Sequence, residues 1–591
     1  MRGGDTVWQW PGVAATGTEK FRERTLRLGL AQANFEVGRP ALNRGRAAAW
    51  ASRAQEAGVD WLVFPELALS GYPPEDLLFR EDFLTAVEEE LSQLCQMSLP
   101  PVTVVGLPLR SAAGLHNAAA VLSEGRVAGI YAKHELPNYG VFDEARYFAA
   151  GRDYLLLDWD GWRIGISICE DMWLADGPWL HDARQGADLL INLSASPFER
   201  GKPRQRDAML ATRALDAEAY VASCNLVGGQ DELVFDGSSA VYGPGGQVLA
   251  RAAAFSEELV TIDLIPGVSR HRRRTDRRWR GEREDEQALV LPVSSEPNRD
   301  AAVVRVAPFL DPTEELRRAL VLGLKDYVEK NRFPGIVLGL SGGIDSSVTA
   351  ALAVEALGVE RVHGVFLPSR ITAETSRDDA LMLAERLGIT CLTIPIEPSF
   401  EAMLESLKPA FAGRAQDTTE ENLQARIRGT IWMALSNKFG WLVVTTGNKS
   451  EMATGYSTLY GDMAGGFSLL KDVYKEDVYA LARAVNQGHE IIPAGVLVKP
   501  PTAELREGQK DEDSLPPYPL LDAILAGYIE QDLSPDELVS QGFPEDAVAL
   551  SVRLVNRNEY KRRQAPVGVK VSGRAFGRDR RLPITGQFPE A

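Results

Sequence analysis

Apolar and polar positions repeat along this chain with two periods, and the places where the period changes predict its elements. Residues 26–34 alternate like a strand, 41–57 read as a helix, and 61–64 form a short buried strand ending on Pro65-Glu66. Further strands are expected at 102–109, 118–122, 126–133, 162–169, 188–193, 220–227, 238–242 and 259–264. Gly243-Pro244-Gly245-Gly246 is a hairpin turn between two late strands. Strands interleaved with helices make this half α/β, with some antiparallel pairs. Beyond about 306 the pattern changes. Asp311-Pro312-Thr313-Glu314-Glu315 offers a cap, a proline at the first helical position and early acids, which predicts a helix to about Lys330. An apolar run at 335–340 leads into Ser341-Gly342-Gly343-Ile344-Asp345-Ser346-Ser347, then an alanine-rich helical run at 348–357. Strands at 362–367, 391–396 and 441–446 alternate with helices at 376–387 and 421–439. Such alternation implies a doubly wound parallel sheet, with ligands at the carboxyl ends of its strands.

Composition narrows the class. A chain of 591 residues is too long for a single core. The pattern divides it into an N-terminal extension (1–25), a first domain (26–266), an arginine-rich connector (267–305) and a second domain with a C-terminal tail (306–591). A net charge of −18 argues against bulk nucleic-acid binding. The arginines of 270–283 are therefore read as a solvated helix pairing with acidic surface, and 294–300 as a linker. Four cysteines without short paired spacing suit a reducing cytoplasm better than a disulfide framework or zinc site. Neither a signal peptide nor a membrane span is expected.

Three expected strand ends carry reactive residues: Glu66, Lys133 and Cys169. Each alone could be structural, with Cys169 a small buried hydrophobe. Together they make a coherent set of nucleophile (Cys169), general base (Glu66) and cation for a tetrahedral oxyanion (Lys133). Glu144 could orient the base or the substrate amine. Lowering a thiol pKa from about 8.5 to near 7 needs roughly 2 kcal/mol. One ammonium a few Å away supplies about that at an effective dielectric near 20, so Lys133 is expected to activate the thiol.

In the second half, the glycines and serines of 341–347 aim backbone N–H groups and a helix N-terminus at one spot, which suits a phosphate. The spacing is not that of a Walker loop. Asp345 would repel a bare phosphate, and with Glu451 at another strand end it suits one Mg²⁺ held mostly by phosphate and water. Lys475 could take ATP phosphates as a point charge. Asn422, Gln424, Arg426 and Arg428 present polar groups from one helix.

These strings resemble known families. The loop at 341–347 is similar to the pyrophosphate-binding loop of the ATP pyrophosphatases. The strings FPEL (64–67), LSGYPPEDLL (69–78), KHELPNYGVFDEARYF (133–148), ICEDMW (168–173) and NLSASPF (192–198) resemble the nitrilase-like amidohydrolases, specifically the glutaminase domain of glutamine-dependent NAD synthetases. SGGIDSS, LPSR, ENLQARIRG, TTGNKSE, TGYSTLYGD, PTAEL and the C-terminal EYKRRQAPVGVKVSGRAFGRDRRLPI look like the synthetase domain of the same family. The resemblance implies an αββα nitrilase-like sandwich followed by a doubly wound ATP-pyrophosphatase domain. It also implies a triad of Glu66, Lys133 and Cys169, with Glu144 nearby and glutamine held by Tyr139, Ser196 and Arg200. ATP would be held by Ser341, Gly342, Gly343, Ile344, Asp345, Ser346, Ser347, Thr446, Lys475 and Thr502. Deamido-NAD⁺ would be held by Asn422, Arg426, Glu451, Asp462, Lys471 and Lys561, and Mg²⁺ by Asp345 and Glu451. The chain departs from the ammonia-only enzymes after Tyr460-Gly461-Asp462, where Met463-Ala464-Gly465-Gly466-Phe467 replaces further acids. The implied activity is ATP-dependent amidation of deamido-NAD⁺ with glutamine nitrogen, in a homo-oligomer whose partners are small molecules rather than nucleic acid or membrane. Rival readings are another glutamine amidotransferase, making GMP or asparagine, a non-catalytic nucleotide-binding scaffold, and a nucleic-acid binder using the arginine run.

Overall fold

Along the strand Leu26–Gln32 neighbouring side chains enter different cores. Leu26, Leu28 and Leu30 pack with Trp159, Ile164 and Ile191, whereas Ala31 packs with Trp50 and Leu94. The first set lies between two sheets, and the second lies between one sheet and its covering helices, Pro40–Glu56 and Glu81–Cys95. The computed structural model describes residues 24–279, 287–293, 299–506 and 508–586. Residues 1–23, 280–286 of the arginine run and 294–298 of the expected linker lie outside them.

The first sheet has six strands in the order Glu258–Leu264, Leu26–Gln32, Trp61–Val63, Val102–Ser111, Gly114–Ser123 and Arg126–Ala132. The second runs Val248–Arg251, Ala240–Tyr242, Tyr220–Asn225, Leu189–Ser194, Trp162–Ile168, Leu156–Trp159 and Leu289–Val290. Helices Pro178–Arg184 and Lys202–Ala217 cover its outer face. The domain is thus a four-layer αββα sandwich.

The described part of the connector is no free tether. Leu289–Val290 is the edge strand of the second sheet, parallel to Leu156–Trp159. The arginines begin as a helix, Val268–Thr275, lying against the same domain. Arg273 is buried and donates to the backbone carbonyls of Ala187 and Ala217. Arg270 approaches Asp188 and Arg278 pairs with Asp276. The expectation of a solvated helix missed this burial, because composition cannot show that a loop carbonyl and the last carbonyl of a helix converge where one guanidinium fits.

The second domain is built on a five-stranded, all-parallel sheet ordered Thr390–Thr393, Val362–Phe366, Ile336–Gly339, Leu442–Thr445 and Phe467–Ser468. The chain starts in the middle, adds two strands on one side and then two on the other. The direction reverses between Ile336–Gly339 and Leu442–Thr445, which opens a crevice at their carboxyl ends. The entry helix Pro312–Lys330 is capped by the Asp311 carboxylate, which accepts from Thr313 N at 2.9 Å. Its apolar face serves both halves, since Leu316, Ala319, Leu320 and Leu324 share one cluster with Phe198 and Val234 of the first domain.

Two candidate active sites

The first site lies at strand ends within the sandwich. Cys169 follows the strand Trp162–Ile168 directly and opens a short helical turn, Cys169–Met172. Its φ of +43°, unusual for a residue with a Cβ, marks a sharp strand-to-helix bend that presents the sulfur. Asp171 pins the bend, accepting from Ile168 N (2.8 Å), Glu135 N (2.9 Å) and Tyr131 Oη (2.8 Å). One carboxylate thereby ties the cysteine turn to the segment leaving Lys133. Glu66 sits in a turn packed hard against Gly106, where a Cβ would come 2.4 Å from Leu67 N, so only glycine fits.

Glu66, Lys133 and Glu144 form one buried cluster. Lys133 Nζ donates to Glu66 Oε1 at 2.8 Å and to both Glu144 oxygens at 2.9 Å. The Asn117 amide donates to Glu66 Oε1 at 2.7 Å and Ala195 N donates to Glu66 Oε2 at 2.8 Å. Tyr72 Oη donates to Glu144 Oε1 at 3.1 Å. Two carboxylates share one ammonium out of water. Burial pushes Glu144 up to about 7 against the pull of Lys133. The Lys133 ammonium is held well above its ordinary value, Glu144 and Glu66 outweighing the burial that opposes them.

The thiol corrects the sequence-based expectation. Burial and then Glu66 push Cys169 up to about 12, and Lys133 offsets only part of this. Counting one cation omits the cost of burying the thiolate, which is the larger effect, and then the repulsion of Glu66. Ser194 Oγ is the nearest polar partner, 3.5 Å from Sγ.

Tyr139 stands at the mouth, half exposed, with its hydroxyl 3.0 Å from both Glu170 oxygens. Ser196 is buried beside the cluster, its N–H bonded to Asn225 Oδ1 at 2.9 Å. Arg200 turns elsewhere. Its guanidinium pairs with Asp477 of the second domain, and its N–H donates to Val571 O at 2.9 Å. Lys202, first residue of the helix Lys202–Ala217, lies 5.7 Å from the Phe142 ring centroid. Burial lowers its pKa against the pull of Glu199 and Cys169, and its charge in turn acts on Glu170.

The second site occupies the crevice of the parallel sheet. Gly342 turns the chain at φ +76°, where a Cβ would meet Ser376 O at 2.2 Å. The helix begins at Ile344, earlier than the alanine run suggested, so Asp345, Ser346 and Ser347 form its first turn. Ser346 and Ser347 hydroxyls donate to Gly343 O, and Ser341 Oγ contacts Ser346 Oγ at 3.1 Å. One cavity is lined by Ser341, Gly343, Ile344, Asp345, Ser346, Thr446, Glu451, Lys475 and Thr502, with Val365, Leu367, Arg428 and Trp432 beyond.

Lys475 Nζ bridges Asp345 Oδ2 (2.6 Å) and Glu451 Oε1 (3.2 Å). Asn448, which caps the helix Lys449–Thr454, also donates to Asp345 Oδ1 at 2.8 Å. Burial drives Glu451 up to about 8 despite Lys475. The two carboxylates converge on one ammonium.

The expected dinucleotide residues split. Thr458 N donates to Asp462 Oδ1 at 2.6 Å and Thr458 Oγ1 to Asn422 Oδ1 at 2.8 Å. Arg426 Nε donates to Leu459 O, and Lys561 Nζ to Gly455 O and Ser457 O. These four surround the loop 455–462, and burial raises Asp462 to about 6. Lys471 instead donates to Pro566 O at 2.7 Å, facing the C-terminal tail. Sequence reasoning missed Asn117, Tyr72, Asn448 and Lys202. Tyr72 stands inside the quoted GYPPED string, and Asn117 is a polar residue leading the apolar run 118–122, so both left a trace.

Comparisons with known proteins agree along nearly the whole chain. A family model described as carbon-nitrogen hydrolase matches residues 27–274, and one described as NAD synthase matches 316–565. The glutamine-dependent NAD(+) synthetase of Thermotoga maritima is 49% identical over 96% of this chain and 100% of its own length. That of Aquifex aeolicus is 46% identical over 95% and 100%. The solved glutamine-dependent NAD⁺ synthetase of Acinetobacter baumannii, in complex with ADP, superposes with a TM-score of 0.74 at 38% identity, covering 96% of this chain and 100% of that one.

Proposed function

The chain belongs to the glutamine-dependent NAD(+) synthetases, and from that membership we propose how its own residues divide the work. The enzyme is a glutamine-hydrolysing ligase that uses ATP to amidate deamido-NAD⁺ to NAD⁺. In the sandwich, Cys169 attacks the glutamine side-chain carbonyl while Glu66 takes the thiol proton. Burial and Glu66 raise the thiol pKa, so its proton needs a base at the moment of attack. Glu66 returns the proton to the leaving ammonia, and a water then hydrolyses the γ-glutamyl thioester. Lys133 fixes Glu66, Glu144 fixes Lys133 in turn, and the ammonium charge favours the oxyanion. Tyr139, Ser196 and Lys202 hold glutamine, the lysine as counter-charge to its α-carboxylate. Lys202 takes this role in place of Arg200, whose guanidinium is engaged by Asp477.

In the crevice, the 341–347 loop, Lys475, Thr446 and Thr502 hold the ATP phosphates, with the purine among Val365, Leu367 and Trp432. Asp345 and Glu451 fit a Mg²⁺ ion: they are hard oxygen donors aimed at one point, with Glu451 left partly uncompensated by Lys475. When bound, that ion neutralises charge on the ATP phosphates. Asn422, Arg426, Asp462 and Lys561 place the dinucleotide beside Glu451, so that its nicotinate carboxylate meets the α-phosphorus. Attack of a carboxylate oxygen there breaks the bond to the β-phosphate and releases pyrophosphate, and ammonia then displaces AMP from the carbonyl carbon of the acyl adenylate to form the amide. Ammonium has no lone pair, so ammonia must pass between the sites without reaching bulk water.

We place the enzyme in the cytoplasm as a homo-oligomer. Four free thiols and exposed Val303, Met433 and Phe439 support this. No helix among the described residues is long and apolar enough to cross a membrane. The observation that carries the reading is that one chain places the buried Cys169 cluster and the Asp345–Lys475–Glu451 cluster on two domains sharing a core. The test is NAD⁺ formation from deamido-NAD⁺ and MgATP with glutamine or ammonium. No product from either nitrogen source would reject it.

A further inference from the structure

The acidic pair of the crevice already holds a cation, and that cation belongs to the chain. Lys475 Nζ lies 2.6 Å from Asp345 Oδ2 and 3.2 Å from Glu451 Oε1. The other oxygen of each carboxylate is taken by Asn448. Its amide donates to Asp345 Oδ1 at 2.8 Å, and its backbone N–H donates to Glu451 Oε2 at 3.3 Å. Asn448 is buried and caps the helix Lys449–Thr454, so both carboxylates are oriented by one fixed residue. The oxygens left over, Asp345 Oδ2 and Glu451 Oε1, meet the same ammonium.

Lys475 is the movable member of this set. Its backbone is anchored where it opens the helix Lys475–Val485, its N–H bonded to Ser450 Oγ at 3.0 Å. Its ammonium rides on a flexible four-carbon stem. Among the described residues lining the cavity, the other cations are engaged elsewhere. Lys499 pairs with Glu504 at 2.9 Å, and Arg428 Nε donates to Leu367 O at 3.1 Å. Asp511, which accepts from Tyr518 Oη at 2.8 Å, adds a further acid to the wall. Lys475 therefore stands alone against the Asp345–Glu451 pair.

A buried ammonium stripped from its carboxylates is costly to leave unpaired, so Lys475 yields its place only when another anion takes it. Nucleotide phosphates are such an anion, and Asp345 stands within the loop 341–347 that receives them. The set thus has two arrangements. In one the ammonium closes the carboxylate pair, and in the other it sits on phosphate and leaves two hard oxygens for a divalent ion.

We propose that Lys475 is a resident counter-ion that keeps Asp345 and Glu451 closed to divalent cations until phosphates draw its ammonium away, so that nucleotide and metal bind as one coupled event. This rests on Asp345 and Glu451 being the metal ligands and on Lys475 taking the phosphates, as assigned above.

The experiment titrates Mn²⁺, a paramagnetic stand-in for Mg²⁺, into the full-length chain without nucleotide and reads the free ion by electron paramagnetic resonance. Lys475→Met is expected to hold Mn²⁺ at least about tenfold more tightly than wild type, and to lose that gain when Asp345→Asn is added. Lys475→Gln, which keeps a neutral donor beside the carboxylates and guards against loss of folding, is expected to gain as well. In thermal melts Mn²⁺ alone should stabilise both variants and leave the wild type unmoved. Mn²⁺ with α,β-methylene-ATP, which is not split at the α–β linkage, should stabilise the wild type beyond the analogue with chelator. A wild type stabilised as much by Mn²⁺ alone as by Mn²⁺ with the analogue overturns the proposal. So does the absence of a gain in both Lys475 variants while Asp345→Asn still raises the Mg²⁺ requirement of ammonium-driven synthesis. If that requirement were unchanged in Asp345→Asn, the assignment of the metal ligands would fail instead.

Discussion

Lys133 Nζ lies 2.8 Å from Glu66 Oε1, with both side chains closed to solvent. A buried ion pair broken from one side leaves an uncompensated charge, which costs about 3–5 kcal/mol. Lys133→Met is therefore expected to abolish glutamine use and to lower the melting temperature. Lys133→Met paired with Glu66→Gln should recover stability without recovering activity. Thermal melts of the two variants beside wild type check this.

Cys169→Ala removes the nucleophile without touching the crevice. Glutamine-dependent synthesis should fall by at least about a thousandfold, with ammonium-dependent synthesis kept within a few-fold. Parallel loss of both would contradict the division of labour between the domains.

The pH dependence of stability has a definite sign at Glu144. Its folded value is raised from 4.5 to about 7, so the folded chain holds a proton that the unfolded chain releases. This contribution is complete below 4.5 and is lost as pH rises through 7. Glu144→Gln lacks the loss, so its melting temperature relative to wild type should climb between pH 5 and 8. A flat difference would show that Glu144 titrates normally.

Lys202→Met should raise the glutamine KM at least about tenfold, as removal of a counter-charge to a carboxylate predicts. Arg200→Met should change it less than threefold. Initial rates against glutamine concentration separate the two, and the reverse ranking would restore Arg200 as the ligand.

Chelating Mg²⁺ should stop NAD⁺ synthesis from either nitrogen source. Asp345→Asn should need several-fold more Mg²⁺ for half-maximal ammonium-driven rate, because one of two hard donors is weakened. An unchanged Mg²⁺ requirement in that variant would remove Asp345 from the site.

The positions of Glu66, Lys133 and Cys169 at strand ends and the glycine turn at 341–347 were legible because each is a local event: a reactive residue at the end of an apolar run, or glycines between a strand and a helix. Relations across the fold were not. Asn117 reaches Glu66 over 51 positions of chain, and nothing in its own surroundings signals a carboxylate. The thiol's pKa was misjudged because Lys133 was counted without the burial of Cys169 itself and without Glu66, and both appear only when the strand ends are brought together. Arg200 and Lys202 are two residues apart, yet the chain turns at Gly201 before the helix starts and sends them to different domains. The arginine run misled for a similar reason, since composition cannot distinguish a guanidinium in water from one closing on carbonyls.

The core formed by Leu316, Ala319, Leu320 and Leu324 with Phe198 and Val234 belongs to both halves of the molecule. Neither half could be cut away without exposing an oily face on the other, so the producer and the consumer of ammonia are not separable parts joined by a string. Loosening the packing on one side of that shared core removes contacts from the other side as well.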